Sequence, residues 1–436
     1  MARNSRSYPG APLRGVNYAG FLRAGLGLGH AARGYIRSLE GMGIDVLRID
    51  ADELLPGRTD KDKGYLSSNV KHSSTLHPVN IVHINPDLLN TFRNQVGSGF
   101  FRNRFTIGIW AWETESFPGK WHDRFSLMDE IWVGGSFMAR GISTASPVPV
   151  ILMPHVVQPE IVKVDREKFG LNEDEYIFLF SFDFNSSLSR KNPLALIKAF
   201  RMAFKPTQKV RLVIKSQNSV YSPHQMNTLR EAAEGLNVCF IDQCFDDNTN
   251  LTLTKSCDAY VSLHRAEGFG LGIAEAMAMG KPVIATGWSG NMDFMNTANS
   301  IPVRYELAPL AETDPPYEKG SLWAVPDLAD AAQKMRLLFE NRSLGHEIGH
   351  LAKEYMLRHN SPEAVGQLIG ERLAMIDPDT SHGKKTLPPE TLRRLRVAQA
   401  TSIRWFCSVT LKRLPERFTG IRTVLERAKN RASEIL

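Results

Sequence analysis

The sequence predicts an α/β protein made of two doubly wound parallel sheets that face each other across a cleft, followed by a basic helical tail. Three observations carry this reading. Strand-like and helix-like runs alternate along the chain, as successive βα units do. The alternation stops in a Pro-rich and then polar stretch, 146–174, and restarts beyond it. The length, 436 residues, exceeds what one hydrophobic core usually holds. The composition shifts divide the chain into 1–160, 161–375 and a tail, 376–436.

The elements follow in order. GVNYAG, 15–20, reads as a strand, and the glycine-rich GLGLGHAARGYIRSLEGMG opens a helix. Strands are expected at 44–49, 81–85 and 105–111, a helical stretch near 125–128, and a strand at 130–133. The second half begins with the apolar run 176–182, of buried-strand character, and the amphipathic helix 193–204. Strands at 210–215 and 238–241 come next, and a helical stretch over 345–375 completes the second domain. No internal repeat is present.

Between 258 and 294 the chain reads DAYVSLHRAEGFGLGIAEAMAMGKPVIATGWSGNMDF. A strand at 259–263, a Gly-rich turn, a helix at 273–279 and a strand at 282–285 make a βαβ unit. Such a unit leaves the backbone amides of Phe269, Gly270 and Leu271 free to hold an anion at a helix N-terminus. Glu267 and Glu275 flank that site, eight positions apart.

This segment resembles the donor-site signature of retaining glycosyltransferases of family four, which have the GT-B fold. The matching residues are Glu267, Gly268 to Leu271 (GFGL), Glu275, Ala276 to Ala278, Gly280, Pro282 to Ala285 and Ser289 to Asn291. The resemblance implies that Glu275 binds the ribose of a nucleotide-sugar donor and that Glu267 lies beside the transferred sugar. The amides of Gly268, Phe269, Gly270 and Leu271 would hold the diphosphate. It further implies that a helix near the end of the second domain crosses back to the first. The segments SLHRAEGFG and TGWSGNMDF are most similar to surface-polysaccharide mannosyltransferases, which suggests GDP-mannose as donor. The acceptor would be a glycan or lipid-linked glycan.

Other residues sit where such chemistry needs them. Arg190 and Lys191 fall between a strand and a helix, where family members carry a basic pair, and Lys191 matches the lysine that contacts the diphosphate. The usual Gly-Arg after the preceding strand is replaced by Phe182 and Asp183, which leaves open which cation does which job. Lys215 ends a strand. Cations aimed at a departing diphosphate act most strongly as its charge develops. These cations and amides would take the place of a metal ion, so no metal cofactor is expected. His264 precedes the Glu267 loop and is placed to touch the donor; His83 and His155 have a less defined standing at the cleft.

The stretch 108–138 is dense in tryptophan: Trp110, Trp112, Trp121 and Trp132. Such rings either cover sugar faces or pack a core. Trp112 and Glu113, after the fourth strand, are candidates for acceptor binding. Gly27, Gly29 and Ala32 spell GxGxxA, with Asp50 about twenty residues on. That is the dinucleotide fingerprint of a nicotinamide-dependent dehydrogenase. Against it, FLRAG separates the glycines from their strand, and the unit at 258–294 stays unexplained. In GT-B proteins a glycine-rich loop at this place, here Gly27 and Gly29, approaches the donor phosphates. A GT-B protein that binds a nucleotide sugar without turnover is a further alternative.

Charge and cysteine content bound the rest. The chain is formally +7, yet 384–436 alone holds thirteen Lys or Arg against four Asp or Glu, so the body is slightly acidic. With Trp405 and Phe406 among its apolar residues, the tail suits peripheral contact with an anionic membrane, or a packing helix. Nothing beyond charge points to nucleic acid. No apolar run reaches the roughly 18 residues of a spanning helix. The N-terminal MARNSRSYPG lacks the apolar stretch of a signal peptide. The four cysteines lack CxxC spacing, as expected of reduced thiols in a cytoplasmic protein.

Overall fold

The computed structural model describes residues 15–25, 27–54 and 76–376, with Glu426, Lys429, Asn430 and Ser433, which are helical. Trp405, Phe406 and Cys407, and with them the expectations for the tail, lie outside the described residues. Cys239, Cys244 and Cys257 are free thiols. Among the described residues no helix is long and apolar enough to cross a membrane.

Six parallel strands form the first sheet: β1 (Gly15–Gly20), β2 (Asp45–Asp50), β3 (Val79–His83), β4 (Phe105–Ile109), β5 (Glu130–Val133) and β6 (Val150–Leu152), in the order β2-β1-β3-β4-β5-β6. Another six form the second: β7 (Tyr176–Ser181), β8 (Val210–Ser216), β9 (Val238–Asp242), β10 (Ala259–Ser262), β11 (Val283–Thr286) and β12 (Ile301–Val303), in the order β12-β11-β10-β7-β8-β9. Every residue of β1, β3, β5, β10 and β11 is buried. That explains why these strands are mostly apolar, since helices cover both faces of a parallel sheet.

In each sheet the winding reverses once, between β1 and β3 in the first and between β7 and β10 in the second. Loops leaving adjacent strand ends part there and open a crevice, where ligands of doubly wound folds bind. The two crevices face each other. A hairpin, β13 (Tyr305–Pro309) with β14 (Leu322–Pro326), is appended to the second domain. Its connecting segment, 310–321, reaches the first domain.

Two expectations are corrected. The stretch near 125–128 belongs to a 3-10 run, Gly119–Leu127, rather than an α-helix. The segment 345–375 is two helices, Arg342–His359 and Pro362–Ala374. Ser361 caps the second by accepting from the Ala364 amide at 3.2 Å, and Pro362 suits a first helical position but cannot continue a helix. This second helix does cross to the first domain. Val365, Ile369 and Leu373 pack there with Val16, Ile36 and Trp132.

Candidate active site

A cavity of about 430 Å³ lies between the two crevices. From the first domain Gly25, Gly27, His30, Asn85 and Glu113 reach it; from the second come Arg190, Lys191, Lys215, Glu267 and Glu275. Helix Leu271–Ala278 starts at its wall, led in by Gly270 at φ 91°, a left-handed conformation that glycine adopts without strain. The amides of its first turn have no acceptor within the helix. Helix Gly27–Gly41 starts opposite, and a Cβ built on Gly27 would lie 3.8 Å from the Leu271 side chain. Two positive helix ends therefore meet at one cavity, a setting for an anion.

Glu267 is the electrostatic centre. Lys191 Nζ lies 2.5 Å from its Oε1 and Arg190 NH1 3.2 Å from its Oε2. Burial favours the neutral acid, but Lys191 and Arg190 outweigh it and hold the Glu267 carboxyl down at about 2. Its backbone is gripped from the turn after β11. The Glu267 amide donates to Ser289 Oγ at 2.8 Å, and the Gly290 amide donates to the Glu267 carbonyl at 2.9 Å. Arg190 also donates to the Ala266 carbonyl at 2.9 Å. Lys215 lines the cavity at 6% exposure, and burial lowers its pKa.

Glu275 faces the first domain. His30 Nδ1 lies 3.6 Å from its Oε1, and His30 Nε2 lies 3.0 Å from Asp247. Arg33 donates to the Leu22 and Ala24 carbonyls and reaches Asp247 at 3.1 Å. Burial pushes the Glu275 carboxyl above its ordinary range, opposed by His30 and Arg33. Nothing in the local sequence pattern of 247–256 singles out Asp247, which only the fold brings across.

Three predicted residues stand outside the lining. His264 is fully buried; its Nδ1 meets Ser262 Oγ at 3.1 Å, and its Nε2 meets Asn291 Oδ1 at 3.0 Å and the Trp288 carbonyl at 3.2 Å. Burial lowers its pKa, so a neutral ring supports the loop from below and does not face the cavity. Gly29 serves close packing: a Cβ there would come within 2.2 Å of the Ala24 carbonyl oxygen. Trp112 is 3% exposed and donates to the Ser116 carbonyl at 2.7 Å. Trp110, Trp121 and Trp132 are likewise buried, so these rings pack a core. His155 does line the cavity, edge-on to Phe269. His83 lies beneath it, bonded to the Tyr18 hydroxyl at 2.8 Å.

The dinucleotide fingerprint is filled otherwise. Asp50, which would bind a ribose in a dehydrogenase, pairs with Arg23 at 2.6 Å and has a side chain 2% exposed. It is not part of the cavity wall.

Comparison with known proteins agrees with this fold. Residues 161–355 match the family Glycosyl transferases group 1. The chain is 26% identical over 216 residues to "Putative glycosyltransferase EpsD" of Bacillus subtilis (strain 168), covering 49% of this chain and 50% of that protein. The chain thus spans about half the length of this curated relative. HepE of Anabaena, solved with UDP and glucose, superposes with a TM-score of 0.60 at 15% identity, over 83% of this chain and all of that one. Sucrose-phosphate synthase of Thermosynechococcus elongatus gives 0.57 at 16% identity, over 82% and 98%. The fold is GT-B, and residues 161–355, in its second half, are similar to Glycosyl transferases group 1.

Proposed function

We propose that the protein is a retaining glycosyltransferase that moves a sugar from a nucleotide diphosphate donor to a glycan or lipid-linked glycan acceptor. One observation carries the reading: Glu267, held between Lys191 and Arg190, and Glu275 flank a free helix N-terminus inside an interdomain cavity. The group 1 match over the same residues and the UDP held by HepE support it. Glu275 takes the ribose, Glu267 orients the sugar, and Glu113 faces the acceptor. The amides of Gly268 to Leu271, with Lys191, Lys215 and Arg190, take up the charge of the diphosphate, and Gly27 approaches it from the first domain. That set of cations and dipoles fills the role a metal ion has elsewhere.

The donor C1–O bond breaks toward the diphosphate, the acceptor oxygen bonds to C1 from the same face, and the acceptor proton passes to the leaving phosphate oxygen. GDP-mannose as donor and a place in surface-polysaccharide synthesis belong to this reading, on the similarity of SLHRAEGFG and TGWSGNMDF. A thermal-shift screen with GDP-, UDP- and ADP-sugars tests it. A rise in Tm with one base is expected, and no response to any of them overturns the reading. Glu275→Ala removes a charge-assisted hydrogen bond and is expected to cost roughly 1.5–3 kcal/mol of donor affinity by titration. Wild-type affinity in that variant would remove Glu275 from the donor site.

A further inference from the structure

The segment 310–321 was not singled out by any periodicity or motif, yet its Tyr317 touches Glu113 and Arg190, two residues of the cavity wall. Tyr317 is 4% exposed. Its ring packs against Trp112, with centroids 5.4 Å apart, and the Arg190 guanidinium stands 5.9 Å from its centroid. Its hydroxyl lies 3.1 Å from Glu113 Oε2. Burial, reinforced by the Glu113 carboxylate, keeps that hydroxyl well above the ordinary phenol range, so it stays protonated and donates. The segment is tied down on its other side, because Asp314 Oδ2 accepts from the hydroxyls of Ser187 and Ser189. Ser187 in turn caps the short helix Leu188–Lys191, which carries Arg190 and Lys191.

The result is a chain of groups across the cleft. Glu113 of the first domain has Oε2 occupied by Tyr317. Its Oε1 faces Arg190 NH2 at 3.9 Å, longer than a hydrogen bond, and the side chain stays 24% exposed on the cavity wall. The other amine of the same guanidinium pairs with Glu267. One guanidinium thus sets two carboxylates side by side, one with an oxygen still able to accept from a hydroxyl.

Resting on the function proposed above, we infer that Tyr317 is a positioning residue for the acceptor. It holds the Glu113 carboxylate so that Oε1 receives a sugar hydroxyl next to the donor sugar at Glu267. The segment 310–321 is then a wall of the acceptor half, and the acceptor class is a glycoside with a free hydroxyl at its end. Tyr317 acts through Glu113, and its loss reads out on transfer rather than on donor binding.

The test uses the full chain with the nucleotide sugar found by thermal shift. Hexose-terminated oligosaccharides and p-nitrophenyl hexosides serve as acceptors, with water as competitor. Tyr317→Phe keeps the ring and removes the hydroxyl. A fall of tenfold or more in the ratio of transfer to donor hydrolysis is expected, with donor Kd within twofold of wild type. Glu113→Gln should lower the ratio at least as far, and the double variant no further, because the two act as one unit. Additive losses, a wild-type ratio in Tyr317→Phe, or a Kd that weakens in step overturn the inference. So does a wild type that hydrolyses the donor but glycosylates none of these acceptors, which leaves the proposed function standing. A wild type that turns over no nucleotide sugar overturns the function itself.

Discussion

The charge on Glu267 is sustained by its neighbours, and this fixes how the site responds to acid. The carboxyl titrates at about 2 in the folded protein against an ordinary 4.5. A depressed carboxylate contributes stability above its unfolded pKa and loses it as the pH falls through the folded value. The contribution of Glu267 is therefore intact at neutral pH and lost between about pH 4.5 and pH 2. Glu267→Gln removes that proton-linked step, takes the carboxylate partner from Lys191 and leaves Arg190 facing only the Glu113 carboxylate, at 3.9 Å. The variant is expected to be less stable than wild type at pH 7, with the gap closing as the pH is lowered through this window. Denaturant midpoints measured from pH 7 to pH 3 check it, and a gap independent of pH would show that Lys191 and Arg190 do not hold the carboxylate. That Glu267 belongs with the GFGL turn and Glu275 was legible in the sequence, and all three line the cavity. The pairing of Glu267 with Arg190 was not legible, since the missing Gly-Arg after β7 left the cations interchangeable on paper.

At the scale of elements, the turn after β11 does what a capping side chain would do elsewhere, clamping the Glu267 loop from behind. Ser289 sits at φ 78° to deliver its hydroxyl, and Gly290 passes so close that a Cβ would lie 1.8 Å from the Gly268 carbonyl oxygen. That neighbour is backbone and can yield only by moving the loop. Gly290→Ala is expected to lower Tm by several degrees and weaken donor binding tenfold or more. Met292→Ala, at a side chain 37% exposed, changes neither. Calorimetry and donor titration on the pair measure this, and wild-type donor binding in Gly290→Ala would detach the turn from the site. Most strands of both sheets were readable because burial on both faces favours apolar residues, whereas the three-residue strands β6 and β12 were not expected. The 3-10 run Gly119–Leu127 was legible only as a helical stretch, because Trp121 and Phe125 stand four apart, a spacing that does not mark the helix as 3-10. The tryptophans around it look the same in sequence whether they face sugar or core, and only their burial decides. The break at Ser361 and Pro362 was legible in principle as a capping residue before a first-turn proline.

Across the whole molecule, the helix Pro362–Ala374 fixes where the second domain's end sits on the first. Arg372, from Pro362–Ala374, forms a fork with Glu130 at the start of β5, its Nε 3.1 Å from both carboxylate oxygens. Glu130 is fully buried and Arg372 9% exposed. Glu130 also accepts from Trp132 Nε1 at 2.7 Å. Other links run nearer the cavity: Asp293 of the second domain accepts from the amide and hydroxyl of Ser136, capping helix Ser136–Ser143 across the cleft, and Arg33 reaches Asp247. The Glu130–Arg372 link lies far from solvent, so its energetics differ from a surface pair. Removing one partner strands a buried charge and costs about 3–5 kcal/mol, whereas replacing both with apolar side chains of similar volume is often close to neutral. Glu130→Met is therefore expected to destabilise strongly, since it leaves Arg372 and the Trp132 N–H without their acceptor. Adding Arg372→Met removes the stranded cation and leaves only the indole, a loss of about 1–3 kcal/mol. The double variant should thus be more stable than Glu130→Met alone, and equilibrium unfolding in urea followed by tryptophan fluorescence orders the three proteins. Equal stability of the double and single variants would mean that Arg372 gains solvent when its partner is lost, and that the crossing helix is not pinned by this pair.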